Sequence, residues 1–152
     1  MRLSLSLLAM AILLSCEPKA GKVESSQAEL VSAKPGPVPA LVLEALAQAR
    51  SDKRRLVVYV GASWCEPCEY FLEAVKANTL PEQFRDLRFL KFDNDVDEDR
   101  LAAAGYGGQM IPRFVLPGRE GLASERRFEG SVKGPEAIAN IAPRLDALLE
   151  TK

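Results

Sequence analysis

Cys65 and Cys68 stand three positions apart in SWCEPCEY, residues 63–70, with Trp64 before them and Glu66 and Pro67 between them. Two thiols at that spacing fit thiol–disulfide exchange, half of a metal site, or a structural staple. A structural zinc needs two further Cys or His ligands. The chain has one other cysteine, Cys16, and no histidine, so no metal is expected. A staple would close a very small loop, which removes little entropy from the unfolded chain. Exchange is the strongest of the three readings. It needs one activated, accessible sulfur and one shielded sulfur that resolves the mixed disulfide.

The flanking elements supply that asymmetry. RLVVYVGAS, residues 55–63, is an apolar, β-branched run too short for a helix and long enough for a buried strand. CEYFLEAVKAN, residues 68–78, carries helical periodicity through Phe71, Leu72, Val75 and Lys76. Cys65 therefore opens a helix, where unpaired N–H groups and the macrodipole favour a thiolate. Pro67 is tolerated in the first turn. Cys68, one turn in, is more enclosed and near enough to close a disulfide. Glu66 is expected to oppose the helix terminus and raise the Cys65 pKa by charge repulsion. Glu66 and Pro67 are thus the tuning residues.

Beyond the pair, ALVLEALAQARSD, residues 40–52, predicts a helix with Leu43, Leu46 and Ala47 at helical spacing. LPEQFRD, residues 80–86, is a turn or short helical piece, and LRFLKFD, residues 87–93, alternates as a strand. A helix follows and stops at Gly105. PRFVLP and LASERRFEG, residues 112–117 and 122–130, form a hairpin across GREG. The last helix, PEAIANIAPRLDALLE, contains Pro143, which should bend or split it. The order α-β-α-β-α-β-β-α predicts an α/β fold. Its sheet is largely parallel, with helices on both faces and an antiparallel edge from the closing hairpin.

Composition narrows the function. The 152 residues suit one domain, and 20 basic against 21 acidic residues leave a net charge of −1. Nothing in that balance suggests a nucleic-acid partner. The lack of histidine excludes Ser-His hydrolysis and Cys-His proteolysis. DNDVDED, residues 93–99, lacks the glycine and terminal Glu of a calcium loop and instead suits the start of a helix.

The N-terminus, MRLSLSLLAMAILLSC, has a basic start and a short apolar run that fit a signal peptide over residues 1–15. LLSC, residues 13–16, resembles a bacterial lipobox, and the resemblance implies lipidation of Cys16. An unpaired thiol in an exported protein is otherwise an anomaly. Residues 16–39, rich in Pro, Ser, Lys and Glu, suit a flexible tether, although AELVSA within them can add a short edge strand. The folded domain is then expected over residues 40–152.

WCEPC, residues 64–68, and QMIPR, residues 109–113, together resemble the thioredoxin superfamily across roughly residues 40–150. The resemblance implies a thioredoxin-like fold, a cis Ile111–Pro112 bond opposite the active site, and a family glycine at Gly130. It implies substrate contacts from Trp64, Ile111 and Pro112, with Met110 on the apolar rim. The stretch from Trp64 to Asp95 looks most like the C-terminal periplasmic domain of DsbD-type disulfide reductases. That likeness implies an envelope reductant of protein disulfides, tethered by lipid and recharged by a membrane electron donor. Cys65 would be the nucleophile, Cys68 the resolving thiol, and their disulfide the electron carrier, with no dissociable cofactor. An oxidase or isomerase, or a non-catalytic adaptor using the same groove, are the alternatives. Four positions depart from cytoplasmic thioredoxin: Tyr59 for a buried Asp, Phe89 for a Lys, Glu73 for a helix-kinking Pro, and Arg113 for a Thr after the cis proline. Tyr59 is expected to be a core residue.

Overall fold

The computed structural model describes residues 27–150; the signal-peptide and Cys16 readings lie outside these residues. Nine main elements follow in order: β1 (Glu29–Ser32), α1 (Val38–Ser51), β2 (Arg55–Gly61), α2 (Glu66–Lys76), β3 (Leu87–Asp93), α3 (Asn94–Ala103), β4 (Arg113–Pro117), β5 (Ala123–Glu129) and α4 (Ala137–Leu149). The strands form one mixed sheet in the order β1-β3-β2-β4-β5. β1, β3 and β2 run parallel, and β4 and β5 add the antiparallel side.

Alternation along β2 divides the core. Val57 and Tyr59 join Phe71, Phe89, Phe114, Ile141 and Leu145 beneath α2 and α4. Val58 and Val60 join Val38, Val42, Leu90, Leu101, Tyr106 and Val115 beneath α1 and α3. Both faces of β2 are covered, which is why its sequence is an unbroken apolar run.

Three details correct the sequence reading. The helix α1 turns Val38, Val42, Ala45 and Ala49 inward, while Leu43 is exposed. Both stripes have helical spacing; the one with two alanines lets the helix backbone approach the sheet. The folded unit also begins upstream of residue 40. β1 lies in AELVSA, where the sequence allowed a short edge strand within the tether, and pairs in register with β3, Leu30 opposite Phe89. Arg88 of β3 holds it there, binding Glu29 at 2.6 Å and Asp52 at 2.7 Å. Finally, α4 runs unsplit through Pro143. Ile141 and Leu145, on either side of the proline, are both fully buried, so packing holds both halves against the sheet.

Tyr59 is fully buried, with its ring 5.0 Å from that of Phe71 and 5.4 Å from that of Phe114. Its hydroxyl lies over Gly61, where a Cβ would collide with it, and has no hydrogen-bond partner among the described residues. Burial pushes the phenol pKa far up. Leaving a buried hydroxyl unpaired costs about 1–3 kcal/mol. Tyr59→Phe keeps the ring contacts and removes that cost. Urea unfolding of the oxidised protein should show a stabilisation of about 1 kcal/mol with an unchanged m-value. A loss of stability would mean that the hydroxyl is bonded.

Candidate active site

The β2 strand ends at Gly61, and a turn closed by Cys65 N–H to the Ala62 carbonyl (3.2 Å) leads into α2. Cys65 is the N-cap residue: its backbone is extended, and its Sγ accepts the Cys68 N–H at 3.3 Å. Cys65 and Cys68 are joined by a disulfide. Cys65 keeps 5 % of its surface and Cys68 none. The asymmetry has the expected direction, although even the outer sulfur is nearly covered. When the bond opens, the N–H that now meets Cys65 Sγ is placed to hold a thiolate there.

Pro67 is buried in the first turn of α2. Glu66 makes a contact that the sequence did not show. Its carboxylate accepts the Gly134 N–H at 3.1 Å, tying the start of α2 to the loop after β5. It is therefore engaged across the site.

Trp64 is 68 % exposed, and its indole N–H donates to Asp95 Oδ2 at 2.7 Å. Asp93 caps α3 by accepting the N–H groups of Asp95 and Val96. The acidic run thus starts a helix, as expected, and also anchors the tryptophan. Ile111–Pro112 is cis, and Ile111 packs against the core cluster that contains Cys65 and Cys68. The Pro112 carbonyl accepts the Gly130 N–H at 2.8 Å, and Gly130 has φ +70°, a conformation that favours glycine. Trp64, Met110, Ile111, Gly130, Val132 and Arg144 line a groove of about 520 Å³. Trp64, Met110 and Val132 are all exposed apolar side chains. Among the described residues, neither the N–H nor the C=O of Ile111 has a hydrogen-bond partner. An extended chain laid in the groove would find an apolar rim, one free backbone donor and acceptor, and Trp64, the neighbour of Cys65. A larger hollow of about 660 Å³ lies between β5 and α4, lined by Arg126, Arg127, Phe128 and Leu148, and holds no nucleophile.

Cys65, Cys68, Trp64, Ile111 and Pro112 therefore gather at one end of the sheet. Asp95 and Gly134 were not singled out by the sequence. Asp95 had a signal: β2 and β3 are parallel neighbours with Gly61 opposite Asp93, so the segments that follow them lie side by side. Among the described residues no group of Cys, Asp or Glu is arranged to hold a metal ion.

A family model described as thioredoxin-like matches residues 40–116. The chain is 35 % identical to Thioredoxin H3 of Arabidopsis thaliana over 98 residues, 64 % of this chain and 77 % of that one. It is 35 % identical to Thioredoxin H2 of the same plant over 69 residues, 45 % of this chain and 49 % of that relative, so about half of the latter's length is spanned. Among solved structures, Fasciola hepatica thioredoxin superposes with a TM-score of 0.50 at 22 % identity, covering 82 % of this chain and 99 % of that one. At that identity the superposition speaks for the fold alone.

Trp64 is the single tryptophan, so its motion can be read without labels. Asp95→Ala removes its acceptor but leaves the Asp93 cap of α3. Time-resolved fluorescence anisotropy should gain a fast component, with unchanged far-ultraviolet circular dichroism. An unaltered decay would show that the groove wall, not Asp95, fixes the indole.

Proposed function

The chain belongs to the thioredoxin-like family, and we propose that it is a bacterial cell-envelope thiol–disulfide oxidoreductase that reduces protein disulfides. The observation that carries this reading is the Cys65–Cys68 disulfide at the N-terminus of α2, beside a groove with an unpaired Ile111 backbone. The envelope assignment draws on the leader, on LLSC at residues 13–16 and on the odd cysteine Cys16. The reductive direction draws on the likeness of the Trp64–Asp95 stretch to DsbD-type domains.

In this reaction the reduced protein binds a substrate segment along Ile111–Pro112, between Trp64 and Met110. The Cys65 thiolate attacks one sulfur of the substrate disulfide. A Cys65–substrate bond forms, the substrate S–S bond breaks, and the other substrate sulfur leaves as a thiolate. Cys68 then attacks Cys65 Sγ and releases the second substrate sulfur. Two electrons have passed to the substrate, and the Cys65–Cys68 disulfide has reformed. The thioredoxin Asp that serves as a proton relay is here Tyr59, whose phenol burial keeps protonated at neutral pH. The Cys68 proton therefore goes to the first departing substrate thiolate or to water. A membrane-borne dithiol donor would return the two electrons. The disulfide is itself the redox group, so no dissociable cofactor takes part.

Cys68→Ala should accumulate mixed disulfides with envelope proteins, and Cys65→Ala almost none, as resolved on non-reducing gels. The reverse pattern would exchange the two roles. No adducts with either variant, together with no insulin reduction by the wild type, would favour a binding adaptor. In growing cells Cys65 and Cys68 should be mostly reduced by thiol trapping; a mostly oxidised pair would indicate an oxidase. Cys16→Ala should move the protein from the membrane to the soluble fraction and abolish acyl labelling. Unchanged fractionation and labelling would remove the lipid anchor from the account.

A further inference from the structure

Arg113 opens β4 directly after the cis proline and is 1 % exposed. Glu129 stands opposite it at the end of β5. Arg113 Nε and Glu129 Oε1 are 3.4 Å apart, a distance that makes an ion pair but not a hydrogen bond; Nε–H has no hydrogen-bond partner among the described residues. Burial lowers the Arg113 pKa, Glu129 offsets only part of that, and the Arg127 charge adds to the lowering; a guanidinium stays charged throughout. Arg113 is taken out of water beside a Glu129 that is only half-buried; burying a charge is costly, and an apolar pair of the same volume is often as stable. Stability alone therefore does not account for the pair.

Its hydrogen bonds do. Arg113 donates to the carbonyls of Tyr106 (3.0 Å) and Met110 (3.1 Å). Glu129 Oε2 accepts the N–H groups of Gln109 (3.0 Å) and Met110 (2.9 Å). A Cβ on Gly108 would run into both Glu129 Oε1 and Arg113 Nε, so the loop rests directly on the ion pair. The segment 106–110 thus takes four backbone hydrogen bonds from two side chains. Both faces of Met110 are held, and the next residue, Ile111, is left with its N–H and C=O unpaired.

We propose that Arg113 and Glu129 are positioning residues that clamp the 106–110 loop and hold the Ile111 backbone in register for a protein substrate, an inference that rests on the substrate groove proposed above. They touch neither sulfur. The clamp therefore acts on recognition of an extended protein chain and not on exchange at Cys65.

The test uses the full chain with Arg113→Met/Glu129→Leu, which removes both charges at similar volume, and with Glu129→Gln, which keeps an oxygen for the Gln109 and Met110 N–H groups. Hydrogen exchange at those two amides reads the clamp without any substrate. It should quicken in the double variant and stay near wild type in Glu129→Gln. The KM for insulin disulfides should rise roughly three- to tenfold in the double variant, as expected if the competent loop is populated only about 10–30 % of the time. The kcat, the reduction potential of Cys65–Cys68 and the rate with dithiobis(nitrobenzoate) should not change. Unchanged amide exchange and unchanged KM would overturn the clamp. An equal loss of rate with insulin and with the small disulfide, or a shifted potential, would also overturn it, by placing the pair's effect at the sulfurs. A wild type that does not reduce insulin at all would instead sink the proposed function, and amide exchange would then decide the clamp on its own.

Discussion

The disulfide is held against the sheet by one ring. Phe71 lies one turn beyond Cys68 and is fully buried, with its ring 5.0 Å from Tyr59, 5.1 Å from Phe89 and 4.8 Å from Phe114. Two of these contacts are edge-to-face, the arrangement aromatic quadrupoles prefer. Burying one such side chain contributes about 1.5–3 kcal/mol, and the three partners come from three adjacent strands. α2 thereby has a fixed height and rotation over β2. That placement puts Cys65 at the rim, Cys68 beneath it, and the first turn of the helix over the end of the sheet. Where cytoplasmic thioredoxin has Asp and Lys, Tyr59 and Phe89 complete an apolar floor; packing has replaced a charged pair beneath the sulfurs.

The opposite wall of the groove is built from polar contacts. The loop before β4 has few backbone partners of its own, and side chains from β4 and β5 supply them. Arg144 of α4 adds bonds to the Glu129 and Gly130 carbonyls at 2.7 Å each, with its guanidinium 4.5 Å from the Phe128 ring centre. Glu66 joins the two walls through Gly134. The site thus has a rigid side carrying the disulfide and a clamped side offering free backbone.

The sequence was most legible where chemistry depends on residue type and spacing. Cys65 and Cys68 after an apolar run locate a helix start, and the resemblance of QMIPR to the family's cis-proline loop locates the facing loop at Pro112. The parallel part of the sheet and its antiparallel edge also followed from the alternating elements and the closing hairpin, because parallel strands need crossovers. The inward face of α1 was less legible, since Leu43 and Leu46 mark one stripe and Val38 and Val42 another. Which stripe packs depends on the space above β2 and β3, a tertiary property. β1 was hard to separate from a tether because its sheet contacts are with residues some 60 positions away in sequence, as in the Glu29–Arg88 hydrogen bond. Arg113 and Glu129 are ordinary surface types; the burial of Arg113 against Glu129 is set by the β4–β5 register, Arg113 opposite Glu129. Glu66 illustrates the same limit, since its partner Gly134 lies 68 residues away.

Electron counting is the most direct test of whether Cys65–Cys68 exchanges with protein disulfides. The reduced protein, freed of reductant, is mixed with excess insulin, quenched in acid, and mapped for free thiols by mass spectrometry. The account predicts one Cys65–Cys68 disulfide formed for each insulin disulfide opened. Two free thiols that persist at Cys65 and Cys68 while insulin stays oxidised would contradict it.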